Sequence, residues 1–242
     1  MDGRCEYKYL LDPGTAAELR SLVSERLEPD PNGGGKPYII SSIYFDSPAH
    51  RLWHQTFDRE AYRVKLRLRV YGEGNGDSSF SFFEIKSKLL GRSEKRRLKL
   101  PLAQNERLWR DGIAPEELKP LDARLARDIL RLIESENLAP AAVVSYDRLA
   151  YCLDDESRLR VTFDSKLRIR REDFDLRHGS CGEPVMGDEC VLEVKSGSSV
   201  PLWLTRLIGE RGLSNRSYSK YGKTNFNSTL KGDSLCLTHS EA

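Results

Sequence analysis

Net charge is nearly absent from this 242-residue chain: 39 Lys and Arg face 37 Asp and Glu, a formal +2. That balance excludes a bulk polyanion binder of the histone kind, so any anion site must come from charge segregated within the fold. Long apolar runs are missing too. No stretch approaches the ~18 residues of a membrane helix, and the opening MDGRCEYKYLL lacks the apolar stretch of a signal peptide. The five cysteines (Cys5, Cys152, Cys181, Cys190 and Cys236) are odd in number and contain no CxxC pair. This argues against both a disulfide framework and a zinc site. The expectation is a reduced, cytoplasmic protein with no membrane insertion by this chain. Repeats and low-complexity tracts are also absent. The chain is 38% hydrophobic and 31% charged, which is enough apolar material for a core beside an unusually charged remainder.

The segment EPDPNGGGKP, residues 28–37, reads as a loop. Before it, 15–27 reads as a helix: Thr15 and Glu18 have capping-box spacing, and Leu19, Leu22, Val23 and Leu27 form one stripe. A second helix is expected over 121–138, with Leu125, Ile129, Leu132 and Ile133 on one face. A third is expected over 201–211, with Pro at its start and Gly212 past its end. Strand patterns cover 4–11, 38–46, 60–71, 79–88, 94–100, 143–153, 158–170 and 190–196, with a hairpin turn around Asp154 to Ser157. Many strands and few helices point to an α+β fold, an antiparallel sheet or barrel with helices packed on it.

The polar parity of these strands is unusual. Arg63, Lys65, Arg67 and Arg69 alternate with Val64, Leu66, Leu68 and Val70. Lys95, Arg97 and Lys99 share a parity opposite Leu98 and Leu100. Arg158, Arg160, Lys166, Arg168 and Arg170 share another, with Asp164 their one acid. Glu84, Lys86 and Lys88 alternate with Phe83 and Ile85, Glu193 and Lys195 with Leu192 and Val194, and Glu6 with Lys8 in the same way. Side chains of one parity share a face. Solvated faces ordinarily mix both signs, so several cationic strands imply a bound polyanion, and a phosphate chain suits them. Glu6, Glu84 and Glu193 are then candidate hard-oxygen ligands for Mg²⁺ or Mn²⁺. Their alternative is a local salt bridge to a neighbouring Lys or Arg. The interleaved residues are mainly aliphatic, whereas RNA recognition usually adds aromatics for base stacking, so no nucleic-acid partner is expected.

An ordered series of short motifs runs along the chain. These are E-x-K-Y (Glu6 to Tyr9), S-I-Y-F-D (Ser42 to Asp46), R-L-R-x-Y (Arg67 to Tyr71), E-x-K-S-K (Glu84 to Lys88), Y-D-R-x-A (Tyr146 to Ala150), L-E-V-K (Leu192 to Lys195) and S-K-Y (Ser219 to Tyr221). The series resembles the VTC domain, the polyphosphate polymerase branch of the triphosphate tunnel metalloenzymes. The resemblance covers roughly residues 4–226 of a single domain over 1–242, with a short tail at 227–242. It implies an antiparallel β-tunnel with helices outside and a bore lined by Lys, Arg and Glu. The implied partners are ATP and inorganic polyphosphate, with Mn²⁺ or Mg²⁺ as cofactor. By motif position Lys8, Arg67, Arg69, Lys86, Lys95, Arg148 and Arg160 would grip phosphates. Tyr146, Ser219 and Lys220 would complete the site, with Lys220 near the transferred phosphoryl group, and Glu193 would hold the metal. Lys65, Lys88, Arg97 and Lys195 join the substrate-binding candidates through their cationic faces.

The chain departs from the family pattern at Ser217, where a Lys is expected, and at Lys88, where a His is expected. Tunnel triphosphatases begin with E-x-E-x-K, but here Arg4 stands at the first acid, which takes a ligand from a two-metal arrangement and favours transfer over hydrolysis. A metal-dependent triphosphatase and a non-catalytic polyphosphate-binding module remain the alternatives. Coupling to a channel would need a separate membrane-protein partner. The oligomeric state is not legible in the sequence.

Overall fold

The computed structural model describes residues 5–72, 80–90, 92–112, 118–153 and 158–223. In chain order the elements are β1 (Cys5–Leu11), α1 (Pro13–Ser24), β2 (Glu28–Pro29), β3 (Tyr38–Asp46), α2 (Arg51–Phe57), β4 (Tyr62–Tyr71), β5 (Phe80–Leu89) and β6 (Arg92–Pro101). They continue with α3 (Leu102–Arg110), α4 (Pro120–Ser135), β7 (Ala139–Cys152), β8 (Arg160–Arg170), β9 (Glu183–Pro184), β10 (Cys190–Ser196) and α5 (Leu202–Glu210). The eight strand patterns and three helix patterns read from the sequence all correspond to elements. The expected turn at Asp154 to Ser157 and the tail lie outside the described residues. Among those residues no helix is long and apolar enough to cross a membrane.

Element starts shift from the expected ranges by up to four residues, most at β7, which begins at Ala139 rather than at 143, and the shift of α1 has a clear local cause. Helix α1 opens at Pro13, and Asp12 caps it by accepting hydrogen bonds from the Thr15 amide (2.9 Å) and hydroxyl (2.6 Å). Proline at the first helical position loses no hydrogen bond and has its φ already set. The capping acceptor is therefore the carboxylate before it, and Thr15 is a donor rather than the cap.

The strands form one sheet in the order β1-β10-β8-β7-β3-β4-β5-β6, with β2 beside β7 and β9 beside β8. The chain divides into two compact units, one of Met1–Ile39, Tyr146–Arg168 and Pro184–Ser219, the other of Ile40–Ser145, Ile169–Glu183 and Lys220–Ala242. In the first unit, Leu19 and Val23 of α1 and Leu204 and Ile208 of α5 share a core with Leu11, Val161, Phe163, Leu192 and Val194. In the second, Leu108 of α3 and Ala126 and Ile129 of α4 share a core with Ile43, Leu66, Leu68, Phe83, Ile85 and Leu98. Each large apolar side chain buried this way stabilises the fold by about 1.5–3 kcal/mol. In both units the helices thus cover the apolar parity of the strands. Among the described residues the opposite parity, where the cations lie, supplies no side chain to either of these two cores.

Candidate functional site

In the second unit the antiparallel register assembles the cations around one acid. Arg67, Glu84 and Arg97 stand side by side across β4, β5 and β6, flanked by the rows Lys65–Lys86–Lys95 and Arg69–Phe82–Lys99. On the other side of β4, Tyr44 and Ser42 of β3 face Arg67 and Arg69. The Glu84 side chain is 0% exposed. Its Oε2 accepts from Arg67 Nε at 2.6 Å, and its Oε1 accepts from Lys95 Nζ at 2.6 Å and Arg97 Nε at 2.8 Å. The cations are less buried than the acid that joins them: the side chains of Arg67, Lys95 and Arg97 are 19%, 40% and 39% exposed. The acid lies underneath, and the open side of the cluster presents positive charge.

The electrostatics of this face follow from that geometry. Burial would raise the Glu84 pKa, but Arg67, Arg69 and Lys95 outweigh it and hold the carboxyl far below its usual range. Burial lowers the Lys95 pKa, Glu84 opposes that and Arg67 and Arg97 add to it, and the result is about 8. Burial would raise the Tyr44 pKa, but Arg67, Arg69 and Lys65 outweigh it, and the phenol falls to about 7. Arg67 Nη1 donates to the Tyr44 hydroxyl at 3.1 Å, and Arg69, 5% exposed, donates from Nε to Ser42 Oγ at 3.0 Å. Lys86 is exposed, and Lys65 and Lys88 are half-buried.

The S-K-Y segment is fastened to this face through a tyrosine. Tyr221 stacks on Tyr44 with ring centroids 4.7 Å apart and planes 2° from parallel, and its hydroxyl donates to Asp46 at 2.9 Å. Asp46 also accepts from the amides of Leu52 and Trp53 in the first turn of α2, and the Trp53 indole donates to the Gly222 carbonyl at 3.1 Å. Lys220, half-buried, is the residue before Tyr221. Tyr44 and Asp46 lie in the S-I-Y-F-D motif and Tyr221 in S-K-Y, but nothing in the sequence alone marks these three as site residues.

The first unit holds the remaining candidates. Glu6 pairs in register with Lys195 and Lys8 with Glu193, while Thr162 and Arg160 stand opposite Glu193 and Lys195 on the far side of β10. Arg148, 8% exposed, makes a bidentate pair with Asp164 at 2.6 and 2.7 Å, and its Nη2 lies 3.7 Å from Glu193. Burial would lower the Arg148 pKa, but Asp164, Tyr146 and Glu193 together hold it well above its usual value. Its guanidinium lies over the Tyr146 ring at 5.3 Å. Lys8 pairs with Glu6 at 2.9 Å and donates to the Tyr218 carbonyl at 3.2 Å; Lys195 pairs with Glu193 at 2.8 Å; Arg160 pairs with Asp30 at 2.7 Å. Ser219 is half-buried.

The structure corrects one expectation. The run 158–170 does not present five cations on one face. Lys166 has φ 51°, which breaks the alternation. Lys166 and Arg168 pair with Asp147 at 3.3 and 3.1 Å, the residue beside Arg148 and therefore on the opposite side of β7. Arg170 donates to the carbonyls of Asp173, Asp175 and Cys181. Arg160 is the cation of that run set beside Lys195 by register. Glu84 takes the salt-bridge arrangement that the sequence left open beside the metal-ligand one: cations hold both its oxygens, so a metal there would have to displace a guanidinium or an ammonium group. Among the described residues no three His, Cys, Asp or Glu side chains gather into a metal-holding group. Glu193 and Glu6, on adjacent strands, could hold Mg²⁺ in the mode in which one or two carboxylates bind it and phosphate oxygens complete its shell, but there too the metal would compete with a cation, Lys195 at 2.8 Å and Lys8 at 2.9 Å.

The structure defines an α+β protein with an antiparallel sheet, helices on its apolar parity, and Arg and Lys gathered around buried carboxylates on the other. The chain belongs to the VTC domain family, which matches residues 3–225. It is 24% identical over 198 residues to "Vacuolar transporter chaperone complex subunit 4" of Schizosaccharomyces pombe, covering 72% of this chain and 27% of that protein. The protein of the same description from Trypanosoma brucei brucei is 27% identical over 164 residues, covering 57% of this chain and 21% of that protein. The chain thus spans about a quarter of the length of these curated relatives or less. Among solved structures, a putative adenylate cyclase from Bacillus halodurans aligns over 90% of this chain and 94% of its own with a TM-score of 0.53 at 13% identity. This likeness bears out the fold class expected from the sequence.

Proposed function

We propose that this chain is an ATP-dependent polyphosphate polymerase domain, transferring the terminal phosphoryl group of ATP to the end of an inorganic polyphosphate chain. Family membership supports the reading, and the buried Glu84 with the open cationic side of Arg67, Lys95 and Arg97 is the observation that carries it. A carboxylate underneath fixes the directions of three cations without neutralising them. A phosphate chain then meets donors already oriented, and phosphoryl transfer requires little beyond positioning and charge neutralisation. Phosphate oxygens accept from Arg67, Lys95 and Arg97 in the second unit, with Arg69, Lys65, Lys86 and Lys88 adding charge. In the first unit Lys8, Arg148, Arg160 and Lys195 serve the same chemistry, and Tyr146 supports Arg148. Lys220, in the segment fastened by Tyr221, stabilises charge on the moving phosphoryl group, with Ser219 beside it in sequence. Mn²⁺ or Mg²⁺, held by Glu193 with Glu6, supplies further neutralisation of phosphate charge when bound. The acceptor oxygen belongs to the chain terminus, so no nucleophile from the protein is required.

The relatives are described as subunits of a vacuolar transporter chaperone complex. By likeness, this chain works as part of such a complex, and we include in the proposal a cytoplasmic location and a membrane-protein partner. The test is incubation of the pure protein with ATP and Mn²⁺, with products resolved by chain length. Chains longer than the donor's own phosphates, with ADP released in step, support the reading. Orthophosphate alone, from ATP or tripolyphosphate, overturns it in favour of hydrolysis.

A further inference from the structure

The cationic face of the second unit also carries aromatic rings that a phosphate chain leaves unused. Phe82 stands between Arg69 and Lys99 in the register of β4, β5 and β6, and Phe80 stands opposite Pro101. Alternation places both on the side of Glu84, away from the core that holds Phe83 and Ile85. Tyr71, in phase with Arg69, reaches the same place, and its ring meets that of Phe82 edge to face, 5.4 Å between centroids. Each ring has a cation over it: Arg69 over Tyr71 at 5.9 Å, Arg97 over Phe82 at 4.6 Å and Lys99 over Phe80 at 4.3 Å. Phe80 is nevertheless 55% exposed. An exposed phenylalanine on this face contributes nothing to the core, and its free surface suits a flat, apolar-faced ligand.

Alternating rings and guanidinium groups are the surfaces on which nucleobases stack. The spacing suits a nucleotide. Arg97 both bonds to Glu84 and covers Phe82, so the aromatic patch begins where the phosphate-gripping cations end. From Glu84 to Phe80 along β5 is about 13 Å at the rise of an extended strand, comparable with the reach of a triphosphate and its ribose. We propose that Phe80, Phe82 and Tyr71, with Lys99, form a stacking ledge for the base of a nucleoside triphosphate whose phosphates lie on Arg67, Lys95 and Arg97. This rests on the phosphate reading above and deepens it by assigning a place to the nucleoside. Stacking is tolerant of base identity because every base has a π-face. The ledge therefore favours purines over pyrimidines through ring area, without selecting one purine.

The experiment is calorimetric titration of ATP and, separately, of inorganic tripolyphosphate into the full chain as wild type, Phe80→Ala and Phe80→Trp. Loss of one stacking partner weakens ATP about 5- to 100-fold in Phe80→Ala. Tripolyphosphate affinity stays within about twofold, and Phe80→Trp restores ATP binding. Equal weakening of both ligands would mean a structural defect, and no weakening of either would mean an idle ring; each overturns the ledge. If wild type binds tripolyphosphate while ATP is insensitive to Phe80, the ledge alone fails. If wild type binds neither ligand, the phosphate reading fails and the ledge with it. A single-stranded RNA that displaces ATP from wild type but not from Phe80→Ala would assign the rings to a polymer's bases and overturn the nucleotide assignment.

Discussion

Replacing Glu84 by Gln keeps the shape of the side chain and removes the negative charge that Arg67, Lys95 and Arg97 share. Breaking a fully buried ion pair from one side costs about 3–5 kcal/mol. Here the acid is 0% exposed, but its partners are 19–40% exposed, so water recovers part of the loss. The expected destabilisation is therefore about 2–4 kcal/mol, a fall in Tm of roughly 4–16 °C for a chain of this size. Differential scanning calorimetry in EDTA at neutral pH measures it. The sign of the pH dependence follows from the depressed pKa of Glu84. Its contribution is fully present above the ordinary value of 4.5 and is lost as pH falls through the much lower folded value, so the gap between wild type and mutant closes in acid. Tripolyphosphate should raise the Tm of Glu84→Gln more than that of wild type, because an external anion replaces the missing internal one. If Glu84 were instead a metal ligand, the metal-free mutant would be as stable as wild type. A mutant that melts within about 2 °C of wild type in EDTA refutes the hub.

Further outcomes concern other parts of the molecule. The Tyr44 phenol titrates near 7 in the folded chain against an ordinary 10.0, so its contribution to stability is absent below pH 7 and grows as pH rises toward 10. Tyr44→Phe should flatten part of the rise in Tm over that window, and an unchanged Tm–pH profile refutes the perturbed phenol. Arg148→Met leaves Asp164, 2% exposed, without its bidentate partner and should cost about 3–5 kcal/mol by urea denaturation. Adding Asp164→Leu should recover most of that loss, and simple additivity of the two mutations would contradict the pairing. Lys220→Ala should lower kcat about 100-fold or more with little change in the KM for ATP; steady-state kinetics showing the reverse pattern would make Lys220 a ground-state contact.

The division into an apolar and a cationic parity is legible in the sequence because strand alternation is local: Val64 to Val70 and Arg63 to Arg69 announce both faces of β4 by themselves. The partners of Glu84 are not legible. Its neighbours in sequence are Ile85 and Phe83 and its nearest charge is Lys86, while the pairing with Arg67 and Arg97 depends on the register of two hairpins. The same holds for Asp164, visible as an acid in a cationic run but bound to Arg148 through a different strand, and for Asp30, which sits in a Pro- and Gly-rich loop. Helix α2 escapes detection because its N-cap position, His50, supplies no capping side chain, and the carboxylate that accepts its first-turn amides, Asp46, lies in the preceding strand and reaches it across a turn. The break at Lys166 has no glycine to signal it, since a lysine holds the left-handed φ. The aliphatic majority among the interleaved residues hides the aromatics: Phe80 and Phe82 fall on the cationic parity of β5, and only the pairing with β4 and β6 brings cations over them.

The central claim is that the face around Glu84 holds phosphate. Calorimetric titration of inorganic tripolyphosphate into wild type, Arg67→Ala and Arg97→Ala tests it without relying on turnover. Each substitution removes a charged donor from the open side while Glu84 keeps its other cations, so each should cost about 1.5–3 kcal/mol of binding free energy, with the fold intact by circular dichroism. Equal affinity in all three proteins would contradict the account and leave the cations as a solvated face.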